Sequence, residues 1–187
     1  MGTTTTTIID TTTTTTGDAL SDAARQRIIR YLDDLIALET SFVTGLKDMA
    51  GDATDPQDAA MFEEHRAQTE SQQARLTARM HELGGTPNAL KGAMNKFGIL
   101  ASDLLHASKD KGDKATRNLI EAFAIENTEI ASYESLIGAA TAVGDTQTAQ
   151  LAKEIQAEEQ AAAQKLFARI NPMAQTAMLA GIAQGHH

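Results

Sequence analysis

Four long stretches of the sequence carry apolar residues every three or four positions, which is the spacing of one face of an α-helix. Ser21 and Asp55 precede two of these stretches and can accept hydrogen bonds from the first free N–H groups of a helix. Gly51 follows the last apolar position of the first stretch, as expected of a helix end. Asp113 and Asp145 are the predicted caps of the third and fourth helices. The predicted helices cover about residues 21–50, 56–83, 114–143 and 146–170, with a shorter crossover helix over 89–108.

Four long helices with a crossover between the second and the third are typical of a ferritin-like bundle. The composition agrees, because 42% apolar but only 4% aromatic residues favour helices that pack through small side chains. A chain of 187 residues suits one domain with a sizeable core. We therefore predict an all-α ferritin-like four-helix bundle with an additional crossover helix. A Thr-rich tail or assembly arm (1–20) precedes the bundle (21–171), and a short helix or tail (172–187) follows it.

The N-terminal segment MGTTTTTIIDTTTTTTG is a low-complexity run of Thr interrupted by IID, and two interpretations of it stay open. It is a flexible tail if it buries too little apolar surface to become ordered. Alternatively it is an arm that pairs with a neighbouring subunit, because β-branched residues such as Thr prefer extended chain.

Charge and cysteine content exclude several classes of function. The formal net charge of -9 argues against nucleic acid or an anionic membrane as the main partner. The absence of cysteine excludes disulfides, thiolate catalysis and iron–sulfur clusters bound by cysteine. Neither a membrane span nor a secretory signal is recognisable in the sequence, so we expect a cytoplasmic protein without a membrane partner.

Polar residues interrupt the apolar stripe of every long helix near its middle. At about 100° per residue, Glu39, Glu126 and Glu159 fall on the apolar stripes of the first, third and fourth helices. The second helix places His65 on its stripe and Glu70 near the edge. Each helix therefore directs an acid or a histidine toward the same interior. One such residue would indicate little, but four at matching depth indicate a site.

Clustered carboxylates in a bundle interior repel one another and need a compensating cation. Arg66, at the edge of the second stripe, is the only basic residue predicted near the middle of the stripes. A divalent metal held by carboxylates and imidazole is the alternative, and bundle cores hold such sites between facing helices. The Glu-x-x-His motif of di-iron bundles is missing twice, because Gln73 follows Glu70 and Ala162 follows Glu159.

Several segments resemble, in order and spacing, the bacterial YciF/YciE-type stress-response proteins of the ferritin-like superfamily. They are YLDDLIALETSFVTGL, HRAQTESQQARL, IENTEIASYESL and AEEQAAAQKL. The resemblance implies a compact bundle with an added helix, often dimeric, with a metal centre and no firmly assigned reaction. Gln68 and Asn127 stand where the family often has an acid and a His, which puts a second metal position in doubt. The candidate ligands from stripe and resemblance together are Glu39, His65, Glu70, Glu126, Glu129, Glu158 and Glu159.

Two functions follow as hypotheses. The first is a stress-response protein with a carboxylate-rich di-metal centre for Fe or Mn that handles iron, peroxide or dioxygen. Tyr133 either packs in the core with its hydroxyl reaching a carboxylate, or tunes the site by hydrogen bonding or electron donation. The alternative is a non-catalytic assembly or scaffold protein that oligomerises through the Thr-rich arm. A homo-oligomer, a dimer or larger, is expected in either case, and the sequence leaves open whether the protein is an enzyme.

Overall fold

The computed structural model describes residues 20–88 and 111–183, which form four α-helices. These are α1 (Asp22–Asp52), α2 (Pro56–Glu82), α3 (Lys111–Ala142) and α4 (Thr146–Ala183). The described residues contain no β-strand, and none of their helices is long and apolar enough to cross a membrane. The predicted crossover helix at 89–108 and the Thr-rich N-terminal segment lie outside the described residues.

Side-chain caps begin three of the four helices where the sequence predicts them. Ser21 Oγ accepts a hydrogen bond from the Ala24 N–H at 3.2 Å. Asp55 Oδ1 accepts from the Gln57 N–H at 2.8 Å, and Asp145 Oδ1 accepts from the Thr148 N–H at 3.0 Å. These bonds satisfy N–H groups that have no partner inside the helix, so they fix the helix starts.

Two predicted helix ends and one predicted start are wrong. Gly51 lies inside α1, and α3 begins at Lys111, so Asp113 belongs to its first turn. The fourth helix does not end at Ile170 but continues through Pro172 to Ala183. A proline within a helix removes one backbone hydrogen bond, which favours an end there. Burial of the Met173 and Ala177 side chains just beyond the proline compensates for that loss.

The interior of the bundle consists of two apolar clusters separated by a layer of buried polar side chains. One cluster contains Leu32, Leu76, Leu136 and Ile155 among others. The other contains Phe42, Leu46, Phe62, Leu119 and Leu166 among others. Along every helix, the polar residues lie between the members of these two clusters. We call the polar layer the set of buried residues Glu39, His65, Thr69, Gln72, Glu126, Glu129 and Glu159.

Packing is most extensive within two helical hairpins, α1 with α2 and α3 with α4. The α2–α4 seam, where the two hairpins meet along α2 and α4, is crossed mainly by charged pairs. Charged residues at both ends and in the middle of α2 bond to α4 or its cap. Residues later in α2 pair with residues earlier in α4, so the two helices run antiparallel. The pairs are Asp55 and Asp58 with Arg169, Glu64 with Lys165, Arg75 with Glu158, and Arg79 with Asp145.

Candidate metal centre

The predicted interior acids meet in the polar layer. Glu39 comes from α1, Glu126 and Glu129 from α3, and Glu159 from α4, and all four side chains are fully buried. His65 of α2 joins them at 6% exposure. The helical period brings them together, because each occupies the apolar stripe of its own helix and the four stripes face one interior.

His65, Glu126 and Glu159 form the tightest group of metal-ligand atoms. The His65 Nε2 atom is hydrogen-bonded to Glu126 Oε1, and each of the three residues offers one nitrogen or oxygen within 4.8 Å of the others. The His65 and Phe42 rings pack edge to face, with ring centroids 5.4 Å apart and an angle of 72° between the ring planes. One nitrogen and several oxygens at this separation are a donor set that suits Fe, Mn or Zn.

The remaining two glutamates extend the cluster toward Tyr133. The fully buried Tyr133 hydroxyl donates a hydrogen bond to Glu39 Oε1. Glu129 has no hydrogen-bond partner at either carboxylate oxygen among the described residues. A buried polar atom without a partner costs about 1–3 kcal/mol, and more if it is charged. Within 20–88 and 111–183, the other unpartnered atoms of the cluster are Glu39 Oε2, His65 Nδ1, Glu126 Oε2 and both oxygens of Glu159.

Burial and mutual repulsion raise the pKa values of these carboxyl groups. Burial, with the charge of Glu159, raises the pKa of Glu39 to about 8. Burial raises the pKa of Glu126 to about 8 and that of Glu159 to about 9. Burial and the three neighbouring acids raise the pKa of Glu129 well above its usual value. Without a cation these carboxyl groups therefore bind protons more tightly than ordinary glutamates do, whereas a bound cation would stabilise the carboxylates.

Two candidate ligands do not enter this layer. Glu70 is exposed on α2, where its carboxylate accepts a hydrogen bond from Arg66 at 2.5 Å. Glu158 is half-buried at the α2–α4 seam, where Arg75 donates to it at 2.5 Å. Of the neighbouring pair on α4, only Glu159 points into the interior.

Sequence reasoning missed Gln72 and Arg75. Periodicity predicts Gln73 on the stripe of the second helix, four residues after Thr69, but Gln72 is the fully buried residue. The half-buried Gln73 amide instead donates to Thr40 Oγ1 at 2.6 Å. The Gln72 amide donates to Glu158 at 3.0 Å, beside Arg75. The positive charge of Arg75 lowers the pKa of Glu39 and so offsets part of the rise that burial causes. Gln72 and Gln73 lie about 100° apart around α2, so the rotation of the helix about its axis decides which of the two faces the interior. Periodicity alone does not fix that rotation.

The fold is similar to several solved structures. The stress protein YciF from E. coli matches with a TM-score of 0.71 at 22% identity, covering 83% of this chain and 99% of that one. A protein from Xanthomonas campestris matches with a TM-score of 0.69 at 24% identity, covering 83% and 96%. A dodecameric thioferritin related to bacterioferritin, from Bacteroides fragilis, matches with a TM-score of 0.65 at 20% identity, covering 81% and 89%. The predicted all-α ferritin-like bundle is confirmed.

Sequence comparison gives a family but not a function. No curated protein sequence matches this chain. A family model described as a domain of unknown function, DUF892, matches residues 23–178, a range that includes the whole polar layer. The predicted resemblance to YciF-type ferritin-like proteins is confirmed by fold and family together. The chain therefore belongs to the DUF892 family.

Proposed function

We propose that this protein is a ferritin-like stress-response protein whose polar layer holds a carboxylate-rich centre of Fe or Mn. The observation that carries the proposal is the set of unpartnered carboxylate oxygens in a layer closed by apolar clusters at both ends. Buried acids without partners destabilise a fold, so their presence on three helices needs a compensating role. Binding of a divalent cation supplies that role.

The donor set suits the proposed metals. His65, Glu126 and Glu159 would hold a first ion, because their ligand atoms already lie within 4.8 Å of one another. Glu39 and Glu129 are the remaining carboxylates for a second ion, and repulsion between them contributes to the raised pKa of Glu129. Oxygen ligands with one imidazole suit Fe and Mn, whereas an all-protein site without thiolate does not favour soft metals.

A bound Fe or Mn centre would supply redox chemistry toward iron, peroxide or dioxygen. The protein's own residues position and shield that centre. Tyr133 holds Glu39 through its hydroxyl, and Phe42 packs against the His65 ring. The two apolar clusters exclude water from the layer on both sides, which strengthens electrostatic interactions inside it.

Metal analysis combined with native mass spectrometry tests the proposal. Wild-type protein loaded anaerobically with Fe²⁺ or Mn²⁺ should retain one or two ions per chain, and Glu159→Gln should lose most of them. Glu158→Gln is the matched control, because it removes the adjacent carboxylate that faces Arg75 instead of the layer. The proposal fails if wild type retains no metal, or if the two variants lose metal equally.

A scaffold role is the second candidate, and one observation favours it. Ala162 of α4 is buried where a Glu-x-x-His motif would supply its imidazole, so the layer holds fewer ligands than a full di-iron bundle. In that case the protein would act as a homo-oligomer assembled through its Thr-rich arm. Deletion of residues 1–17 should then lower the oligomeric mass in native mass spectrometry, whereas metal-centre function alone predicts an unchanged mass.

A further inference from the structure

A small cavity lies on the α2–α4 seam directly beside His65. Its volume is about 20 Å³, which exceeds the space that one water molecule needs. His65 and Gln68 of α2 and Ala162 of α4 line it. Because His65 belongs to the polar layer, one residue of the proposed metal centre stands in the wall of the cavity.

The methyl side chain of Ala162 leaves this space open. Ala162 lies three residues after Glu159, one helical turn along the same face of α4. A larger side chain at this position would project into the cavity beside His65. The Nδ1 atom of His65 is buried and has no hydrogen-bond partner in the described part of the chain.

A charged pair stands at the solvent side of the cavity. Lys165 Nζ bonds to Glu64 Oε1 at 3.0 Å, and both residues line the cavity. Their side chains are 60% and 73% exposed, so the pair can separate at little cost.

A larger groove on the opposite side of the bundle is a weaker route to the layer. It lies between α1 and α3 and has a volume of about 230 Å³. Its lining includes Phe42 and Ile125 but none of the residues whose side chains form the metal-ligand cluster. The cavity at the α2–α4 seam has such a residue in its wall.

We propose that the cavity beside Ala162 is the port through which divalent cations enter the polar layer, with Lys165 as the residue that limits entry. This inference rests on the proposed metal centre. Glu64 attracts an approaching cation, and the Lys165 ammonium group opposes it until the pair separates. Arg75 and Glu158 bond across the next section of the seam, so the opening that the cavity offers lies beside the Glu64–Lys165 pair.

Two substitutions separate an entry port from a binding site. Ala162→Val narrows the cavity without removing a ligand, so it should slow cation binding and release by a similar factor and leave the dissociation constant unchanged. Lys165→Met removes the opposing charge and should speed binding by about fivefold to tenfold at low salt. That acceleration should shrink at high ionic strength, because salt screens exposed charges.

Stopped-flow mixing of the full-length apoprotein with Co²⁺, followed by visible absorption, measures these rates. Ala161→Val and Lys153→Met are the matched controls, because both positions are exposed on α4 and neither lines the cavity. Thermal melts of each variant confirm that it is folded. Controls that bind at the wild-type rate, with a slower Ala162→Val and a faster Lys165→Met, support the port.

The inference is overturned if Ala162→Val and Lys165→Met both bind Co²⁺ at the wild-type rate while wild type binds normally. It is also overturned if Ala162→Val weakens the equilibrium affinity with unchanged association, which would make the cavity part of the ligand site. Failure of wild type to bind Co²⁺, Fe²⁺ or Mn²⁺ instead overturns the metal centre itself. The two failures are therefore distinguishable.

Discussion

Replacing Glu126 by Gln removes one negative charge from the polar layer while keeping the side-chain shape. Glu126 is fully buried, and its carboxyl group contacts His65. In the metal-free protein this carboxyl group destabilises the fold, because it must stay protonated or ionise without a cation. In the metal-loaded protein it would be a ligand. The substitution should therefore have opposite effects on the two states.

The pKa of Glu126 sets the size of the effect. Because its pKa rises from an ordinary value of 4.5 to about 8 in the fold, this carboxyl group keeps at pH 7 a proton that the unfolded chain releases. With about 1.4 kcal/mol per pKa unit, that retention destabilises the native state by about 3 kcal/mol. A Gln side chain does not titrate and so carries no such penalty. It does weaken the hydrogen bond to His65, which offsets about 1 kcal/mol of the gain. Metal-free Glu126→Gln should therefore be more stable than wild type by about 1–3 kcal/mol, or about 3–10 °C in Tm.

Thermal melts in chelator and in excess Mn²⁺ measure both effects. Metal should raise the Tm of wild type by mass action on the native state, and Glu126→Gln should lose most of that gain. Glu134→Gln is the control, because it is the same change at an exposed position of α3. The reasoning is refuted if Glu126→Gln destabilises the metal-free protein, or if its advantage over wild type is the same at pH 5 and pH 8.

Three further predictions concern metal-free stability. Because burial raises the folded pKa values of Glu39, Glu126 and Glu159 above 4.5, the native state binds more protons, and stability should fall as pH rises from about 4.5 to about 9. Urea titrations across that range check the sign, and a rise with pH would contradict it. Arg79→Met should destabilise the fold by about 3 kcal/mol, because it leaves the buried Asp145 carboxylate without its cation, as chemical denaturation would show. Gly144→Ala should cost about 1 kcal/mol, because Gly144 adopts φ 75° after α3, and an unchanged denaturation midpoint would refute that.

Periodicity predicts the interior residues that lie at the centre of a stripe. Glu39, Glu126 and Glu159 are flanked by apolar residues one turn away on both sides, so no small rotation of the helix exposes them. His65 lies between the buried residues Phe62 and Thr69 on α2, so its position is fixed as well. These positions depend on local sequence alone, and the structure buries all of them.

Residues at a stripe edge depend on contacts that local sequence does not contain. Glu70 and Glu158 each have an arginine within reach, and those partners keep their carboxylates at the surface. Gln72 replaces Gln73 in the interior because packing of α2 against both neighbours sets its rotation. The length of α4 beyond Pro172 likewise depends on the burial of Met173, a tertiary contact that outweighs the local preference.

The arrangement of the polar layer has a consequence for the order of folding. Each hairpin forms from contacts close in sequence, whereas the ligand cluster draws His65 from the first hairpin and Glu126 and Glu159 from the second. Neither hairpin alone carries the full ligand set. High-affinity capture of a cation can therefore occur only after the hairpins dock along the α2–α4 seam. In a refolding experiment, metal uptake would mark the final docking step, later than the appearance of helical signal.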